Sequence, residues 1–318
     1  MNTADGPVTL SVVVGTLNRA EQLKVCVNSI FDQTTLSTRV YVTDAGSSDG
    51  TIEYLESIAS DRLVPVLQGK RVGQARAYNE VFKLVRTPYV CWLSDDNVVV
   101  NRGLDVAVRI LDTRPKIGMV GLKVKDVSGP FVDAPYVGGV SAAGVLNVNQ
   151  GVLRTSVIRE LGGFSERFRD YGIDPDLTTR VIFTGHAVVH TRQIALHHYR
   201  NWSTDRESPD YIRQQELQKA YLELYRRKYA AFLDVEWLTR VKRILWQLMR
   251  HGLGISTDSR RSFLGLIPRD WHNLFTGRYI SLVDPIRCLR QPYHLLQYCP
   301  PSKRPTAIPA DPAEQIGG

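Results

Sequence analysis

The sequence predicts an α/β fold on a mostly parallel sheet, and three observations carry that expectation. Over residues 8–124, short apolar runs rich in Val alternate with stretches of helical spacing. The runs are apolar nearly throughout, as strands covered on both faces must be. Glycines and carboxylates gather where the runs stop, at the strand ends where such sheets hold ligands.

The elements follow in order. Residues 8–15 predict a buried strand, and 21–32 a helix with Leu23, Val27, Ile30 and Phe31 on one face. A strand at 39–43 and a helix at 51–58 come next, then a strand at 63–67 and a helix at 73–85. Residues 89–93 read as a strand, 103–113 as a helix and 117–124 as a strand. Strands alternating with helices imply right-handed crossovers and parallel neighbours. Beyond about residue 125 the pattern loosens. Residues 129–144 read as loops with one or two strands, 152–161 and 175–183 as helices, and 187–191 as a strand. From 210 the composition turns helical, as over 211–232. The expected division is a nucleotide-binding and catalytic unit at 1–205, a basic, mainly helical region at 206–299, and a disordered tail at 300–318 marked by Pro300, Pro301, Pro305, Pro309 and Pro312.

With 318 residues, 43% of them hydrophobic and 23% charged, the composition excludes a long disordered chain. No stretch reaches the roughly 20 apolar residues of a membrane-spanning helix. The N-terminus has no basic stretch before its short apolar run, so a cytoplasmic chain is expected. Four cysteines without a C-x-x-C pair argue against a disulfide scaffold or a zinc site. The net charge of +8 is unevenly placed: residues 192–318 carry 20 Lys and Arg against 12 Asp and Glu, while residues 1–191 balance at 20 and 20. A neutral front and a basic rear suggest that the rear meets anionic lipid, phosphate or nucleic acid.

Five constellations carry chemistry. Asp44 ends a strand and opens the turn Asp44-Ala45-Gly46-Ser47-Ser48-Asp49-Gly50-Thr51, where its carboxylate can accept from a base N–H and Asp49 can cap the next helix. Ser94-Asp95-Asp96-Asn97 places two like charges side by side at a strand end, which calls for a cation, and oxygen ligands with substrate phosphates suit Mg²⁺ or Mn²⁺. Gly73-Gln74-Ala75-Arg76 opens a helix with small residues that let an anion approach its N-terminus. Gly162 to Phe168 leads to Asp174-Pro175-Asp176, where either carboxylate can be a helix cap or a general base. His197-His198-Tyr199-Arg200 can meet a metal–diphosphate unit or an acceptor sugar. Each motif alone also fits plain turn-and-cap duty.

Together, in this order, they resemble the family 2 glycosyltransferases of the GT-A fold over about residues 8–203. Ser11 to Arg19 is similar to the family's opening strand and loop, Asp44 to Thr51 to its V-x-D-D-G-S-x-D-G-T turn, and Gly73 to Asn79 to its G-x-x-x-A-R-N helix start. Ser94 to Asn97 resembles its metal-binding D-x-D region, and Gly162 to Leu177 its G-G-F-D-E…E-D-x-D-L segment. The resemblance implies that Thr16, Asn18 and Arg19 line a nucleotide pocket, that Asp44 and Arg76 hold the base, and that Asp95 touches the ribose or the metal shell. It further implies that Asp96 binds the metal with His197 nearby, and that Asp174, or else Asp176, is the catalytic base. The activity implied is inverting transfer of a sugar from a nucleotide-diphosphate sugar to a hydroxyl of a glycan or lipid-linked acceptor, with Mg²⁺ or Mn²⁺, in cell-envelope polysaccharide synthesis. Ala45, Ser94, Ile173 and Pro175 depart from the family pattern. A sugar nucleotidyltransferase and a non-catalytic, degenerate transferase fold are the alternatives. The stretch after the first strand, Gly15-Thr16-Leu17-Asn18-Arg19, fits the former's G-x-G-x-R-L poorly, and has no G-x-G-x-x-G of a dehydrogenase. No nucleic-acid signature accompanies the basic rear.

In that rear, 237–250 is an amphipathic helix. Trp237, Leu238, Val241, Ile244, Leu245, Leu248 and Met249 share one face; Arg240, Lys242, Arg243, Gln247 and Arg250 take the other, with Trp246 among them. It predicts either packing on the catalytic unit or peripheral contact with an anionic membrane surface on the inner face of the cell membrane. Acceptor choice is expected to rest on residues 132–149 and 201–208.

Overall fold

The computed structural model describes residues 8–129, 132, 135–200, 203, 205–233, 236–254, 266–284 and 287–312. The front half runs β1 (Leu10–Thr16), α1 (Ala20–Gln33), β2 (Thr38–Asp44), α2 (Thr51–Ser57), β3 (Leu63–Leu67), α3 (Gln74–Leu84), β4 (Tyr89–Ser94), β5 (Asn97–Val99), α4 (Gly103–Thr113) and β6 (Ile117–Ser128). The remainder is β7 (Gly151–Arg154), α5 (Thr155–Glu160), α6 (Ile173–Phe183), β8 (Ala187–Tyr199), α7 (Pro209–Lys228), α8 (Glu236–Gly252), α9 (Pro268–Thr276), β9 (Ile280–Leu282) and β10 (Tyr293–Gln297).

All ten strands join one sheet in the order β3-β2-β1-β4-β7-β6-β8-β10-β9, with β5 paired to β8. Strands β1 to β4 pair in parallel, as do β6 and β8. β7 runs antiparallel between β4 and β6. Side chains alternate across the sheet into two cores. Leu10, Val12 and Val14 of β1, with Cys91 and Leu93 of β4, pack on one face with α1 and α4; Val13, Val90 and Trp92 pack on the other with α3 and α6. Burial on both faces is why Val12 to Val14 and Val90 to Leu93 are unbroken apolar runs. The turn after β2 needs Gly46: its φ is +89°, and a Cβ there would meet the Gly69 backbone at 2.9 Å.

Three expectations are corrected. Residues 152–161 divide into β7 and α5, because Val152 and Leu153 face opposite cores, a spacing of two that a helix cannot provide. The strand expected at 187–191 continues to Tyr199, paired along β6 and, at its end, β5. The proline-rich tail is ordered through Pro312. There Arg304 Nε donates to the Cys299 carbonyl, and Asp311 receives the buried Lys228 at 2.5 Å and the Ser165 hydroxyl at 2.7 Å. Residues 313–318 lie outside the described residues.

The basic rear is helical through α7, α8 and α9, yet β9 and β10 extend the main sheet. A buried cluster fixes this extension. Lys123 Nζ of β6 lies 2.7 Å from Asp270 Oδ2 of α9, and His294 Nε2 of β10 lies 3.2 Å from the same oxygen. Gln297 of β10 both donates to and accepts from the Leu146 backbone. Burial disfavours the Asp270 carboxylate, but Lys123 and His294 more than offset this and hold it far below the usual range. Lys123→Met would strand a buried carboxylate. It should cost about 3–5 kcal/mol in urea unfolding, and Lys123→Met with Asp270→Leu should recover much of that.

Candidate active site

A cleft of about 740 Å³ opens where β1, β2 and β4 end. Gly15 and Thr16, Thr43 and Ala45, and Ser94 to Asp96 reach it from those three ends. The parallel strands deliver their loops to one edge, and the glycine-containing β1 lets Tyr78 of α3 approach. A Cβ on Gly15 would lie 2.9 Å from the Tyr78 hydroxyl, which instead donates to the Leu93 carbonyl.

The acidic pair dominates the cleft. Asp95 accepts from the Thr16 hydroxyl at 2.8 Å and from Arg19 Nη1 at 3.0 Å; the same nitrogen donates to Asp96 at 3.1 Å. Burial lifts the Asp95 carboxyl to about 6, against the pull of Arg19. Burial also opposes ionisation of Asp96, yet His198 and Arg19 outweigh it and keep that carboxyl below its ordinary value. His198 Nε2 stands 3.3 Å from Asp96, while its Nδ1 stands 2.9 Å from Asp126. Burial works against protonation of His198, but the two carboxylates prevail and raise its pKa.

The opposite wall holds Asp174, in the first turn of α6. It accepts from Trp92 Nε1 at 3.3 Å, and burial pushes its carboxyl up to about 8. Asp176 points away into the core. Arg180 and Lys228 each reach it at 2.7 Å, and the Tyr229 hydroxyl at 2.8 Å. The two carboxylates that the sequence leaves as alternatives are thus separated by the helix: one lines the cleft and the other is fully engaged in packing α6 onto α7.

The remaining sequence-picked residues divide in the same way. Thr16, Arg19, Asp95 and Asp96 meet in the cleft. Asn18, at φ +51°, braces the turn after β2: its backbone N–H donates to Ser47 and its side chain accepts from the Ser48 N–H. Asp44 is buried under that turn, accepting from the Gly46 and Ser47 N–H groups and the Ser47 hydroxyl, while its neighbours line the cleft. Arg76 is exposed on α3. The cation on that rim is Arg71, 3.7 Å from Asp170. The α3 N-terminus is capped from within, since Asp170 accepts the Gln74 N–H and the Arg169 carbonyl accepts that of Ala75. His197 pairs in register with Lys125 and not with the cleft; its neighbour His198 enters it. Sequence reasoning also gave no sign of Gln214, Gln215, Gln218 and Tyr221, which α7 brings to the outer wall. Of the two stretches expected to choose the acceptor, residues 133, 134, 201, 202 and 204 lie outside the described residues.

Residues 11–136 match the sequence model of Glycosyl transferase family 2, in agreement with the resemblance read from the motifs. An uncharacterized glycosyltransferase of Nostoc sp. is 28% identical over 114 residues, 35% of this chain and 35% of that protein, so the chain aligns with about a third of its curated relative's length. The S. aureus TarS structure superposes with a TM-score of 0.53 at 16% identity, covering 78% of this chain and 44% of that one. The structure of S. aureus TarS 1–349 in complex with UDP-GlcNAc gives 0.52 at 14% identity, covering 87% and 95%. At these identities the likeness establishes the fold, a GT-A sheet with flanking helices, in agreement with the resemblance read from the motifs.

The raised Asp174 pKa has a consequence for stability. The folded chain holds this proton more tightly than the unfolded chain, whose Asp titrates near ~3.9. Stability from this group is therefore full below about 4 and is lost as the pH rises to about 8. Asp174→Asn should melt progressively higher than the parent between those pH values, with the gap level above them, in a pH series of thermal melts.

Proposed function

We propose that the chain is an inverting glycosyltransferase, moving a sugar from a nucleotide-diphosphate sugar to a hydroxyl of a glycan or lipid-linked acceptor. The observation that carries the reading is one cleft with an acidic, cation-seeking pair on one wall and, on the other, the half-buried carboxylate of Asp174, met only by the Trp92 N–H. The family match over residues 11–136 supports a nucleotide-sugar donor. The TarS structure that carries UDP-GlcNAc shares the fold.

Each step has a residue for it. Thr16 and Arg19 hold the Asp95–Asp96 pair in place at the strand end, where it would receive a cation shared with the donor's diphosphate. Asp174, as carboxylate, takes the proton of the acceptor hydroxyl. That oxygen bonds to the anomeric carbon as the bond from this carbon to the diphosphate oxygen breaks, and the nucleoside diphosphate leaves with the electron pair. One displacement inverts the centre. Positioning of the two substrates across the cleft supplies much of the rate.

The residues also fit a divalent metal. Asp96 offers a carboxylate and His198 an imidazole nitrogen 3.3 Å from it, and hard cations of this size take one or two protein ligands and complete their shell with substrate phosphates. Asp96 and His198 would hold the metal, which would neutralise the leaving diphosphate. The work lies in cell-envelope polysaccharide synthesis in this reading, in the cytoplasm or on the inner face of the cell membrane.

Thermal melts with UDP, GDP, dTDP and CDP, each with and without Mn²⁺, test the donor. One nucleotide at ~100 times its dissociation constant should stabilise the chain by about 2.7 kcal/mol. Asp96→Ala should remove the Mn²⁺ increment, and no shift with any nucleotide would overturn the reading. With the donor so identified, Asp174→Asn should lower kcat by about 10²–10⁴-fold while leaving the nucleotide shift in place. The parent's kcat should climb with pH towards about 8 as Asp174 ionises.

A further inference from the structure

The helix α8 is docked the wrong way round for a helix that packs by its apolar face. Trp246 is 5% exposed and meets the His272 ring of α9 at 6.1 Å between centroids. Wound at 100° per residue, Trp237, Ile244 and Leu248 lie on the opposite side of the helix from Trp246. They are exposed, Trp237 at 63% and Leu248 at 64%, and Leu253 just beyond the helix at 71%. Val241 and Leu245 widen this outer face, Leu238 and Met249 lie along its edge towards Trp246, and each is exposed too. The result is an apolar strip about 17 Å long, at 1.5 Å per residue from Trp237 to Leu248. Strips of this kind mark a surface that something covers.

From this arrangement we infer that the outer face of α8 is a docking surface for an anionic lipid bilayer, with the helix lying in the plane of the interface. Charge selects the occupant. Arg240 flanks the strip on one side and Lys242, beside Met249, on the other; Arg243 and Arg250 follow further round towards Trp246, and Glu236, at the very start, is the one acidic residue of the helix. The excess positive charge of the whole chain sits in the same region, residues 192–318. A second copy of this face would bring those cations against their own kind, whereas anionic headgroups neutralise them while acyl chains receive Trp237, Ile244 and Leu248. No helix among the described residues is long and apolar enough to cross a membrane, so contact of α8 with lipid is in-plane. The placement also serves the reading of the site as a transferase, on which the surface itself does not depend. A cavity of about 610 Å³ behind α8, lined by Arg226, Arg243 and Arg269 and by no carboxylate, adjoins the candidate active site at Gly139.

The test is sedimentation of the full chain with vesicles of phosphatidylcholine alone or mixed with phosphatidylglycerol, with the nucleotide melts run on the same proteins. The chain should pellet with the mixed vesicles at low salt, bind pure phosphatidylcholine far less, and release as salt screens the headgroups. Ile244→Asp with Leu248→Asp should lower the partition coefficient at least about tenfold. Because both positions are exposed, melting temperature and nucleotide shift should stay at parent values. Parent chain that ignores the phosphatidylglycerol vesicles, or a double variant that binds them as well as the parent, would overturn the inference. So would a dimer in sedimentation equilibrium that the double variant dissolves, without vesicle binding by the parent. Vesicle binding with no nucleotide shift would leave the docking surface standing and sink the transferase reading.

Discussion

Two adjacent carboxylates at the end of an apolar strand cannot be buried together without a cation, and the site is arranged around that constraint. Asp95 and Asp96 follow β4 directly, with the sheet behind them. Their compensation arrives from both directions in sequence: Arg19 from the start of α1, and His198 from the end of β8, itself held by Asp126 of β6. The chain of charges Arg19, Asp95 and Asp96, His198, Asp126 therefore ties the front of the sheet to strands more than 100 residues later. Replacing any member leaves a neighbour buried and uncompensated, which is more costly than losing an interaction.

The same logic separates the two carboxylates of α6. They stand two residues apart in the helix's first turn, so they leave it in different directions. Asp176 turns inward, where Arg180, Lys228 and Tyr229 saturate it, and Lys228 in turn reaches Asp311 of the C-terminal segment. Asp174 turns to the cleft with one weak donor, Trp92. A carboxylate ringed by two cations and a phenol is committed to structure; Asp174, desolvated beside a single indole N–H, has its pKa raised towards the working range, where a general base is most effective. The contacts of Asp176 hold one side of α6 to the core, and the other side carries Asp174 to the cleft.

The front of the fold is legible because its signals are local. Val-rich runs covered on both faces and the Asp44-to-Thr51 turn fix β1 to β4 and their edge without help from the rest of the chain. What is not legible depends on partners remote in sequence. Gly151 to Arg154 carries helix-compatible residues, and only insertion between β4 and β6 makes it β7. The choice between His197 and His198 is a question of strand phase, and becomes decidable only once β8 is known to continue past Thr191 and to pair Asp126 with His198. Asp44 and Arg76 fit the family pattern in sequence, but the packing of the turn around one and the outward face of α3 under the other were beyond what spacing can show. Prolines at 300–312 suggest disorder by composition, yet a single ion pair from Asp311 to the buried Lys228 gives the segment a place to go.

Amphipathic spacing in α8 carries a further ambiguity of principle. The pattern states that two faces differ; it does not state which one the protein keeps. Packing usually claims the apolar face because water penalises it most. Here Trp246, set among arginines by the helical wheel, provides a large apolar surface on the basic side, and α9 offers His272 to receive it. One aromatic anchor on the polar face is enough to reverse the helix, since the remaining cost of exposing the apolar strip can be recovered by whatever covers it. A helix oriented in this way turns its hydrophobic strip outward and leaves its cations along the flanks, between the strip and the docked Trp246. An exposed apolar strip flanked by cations is the pattern that the proposed contact with anionic lipid rests on.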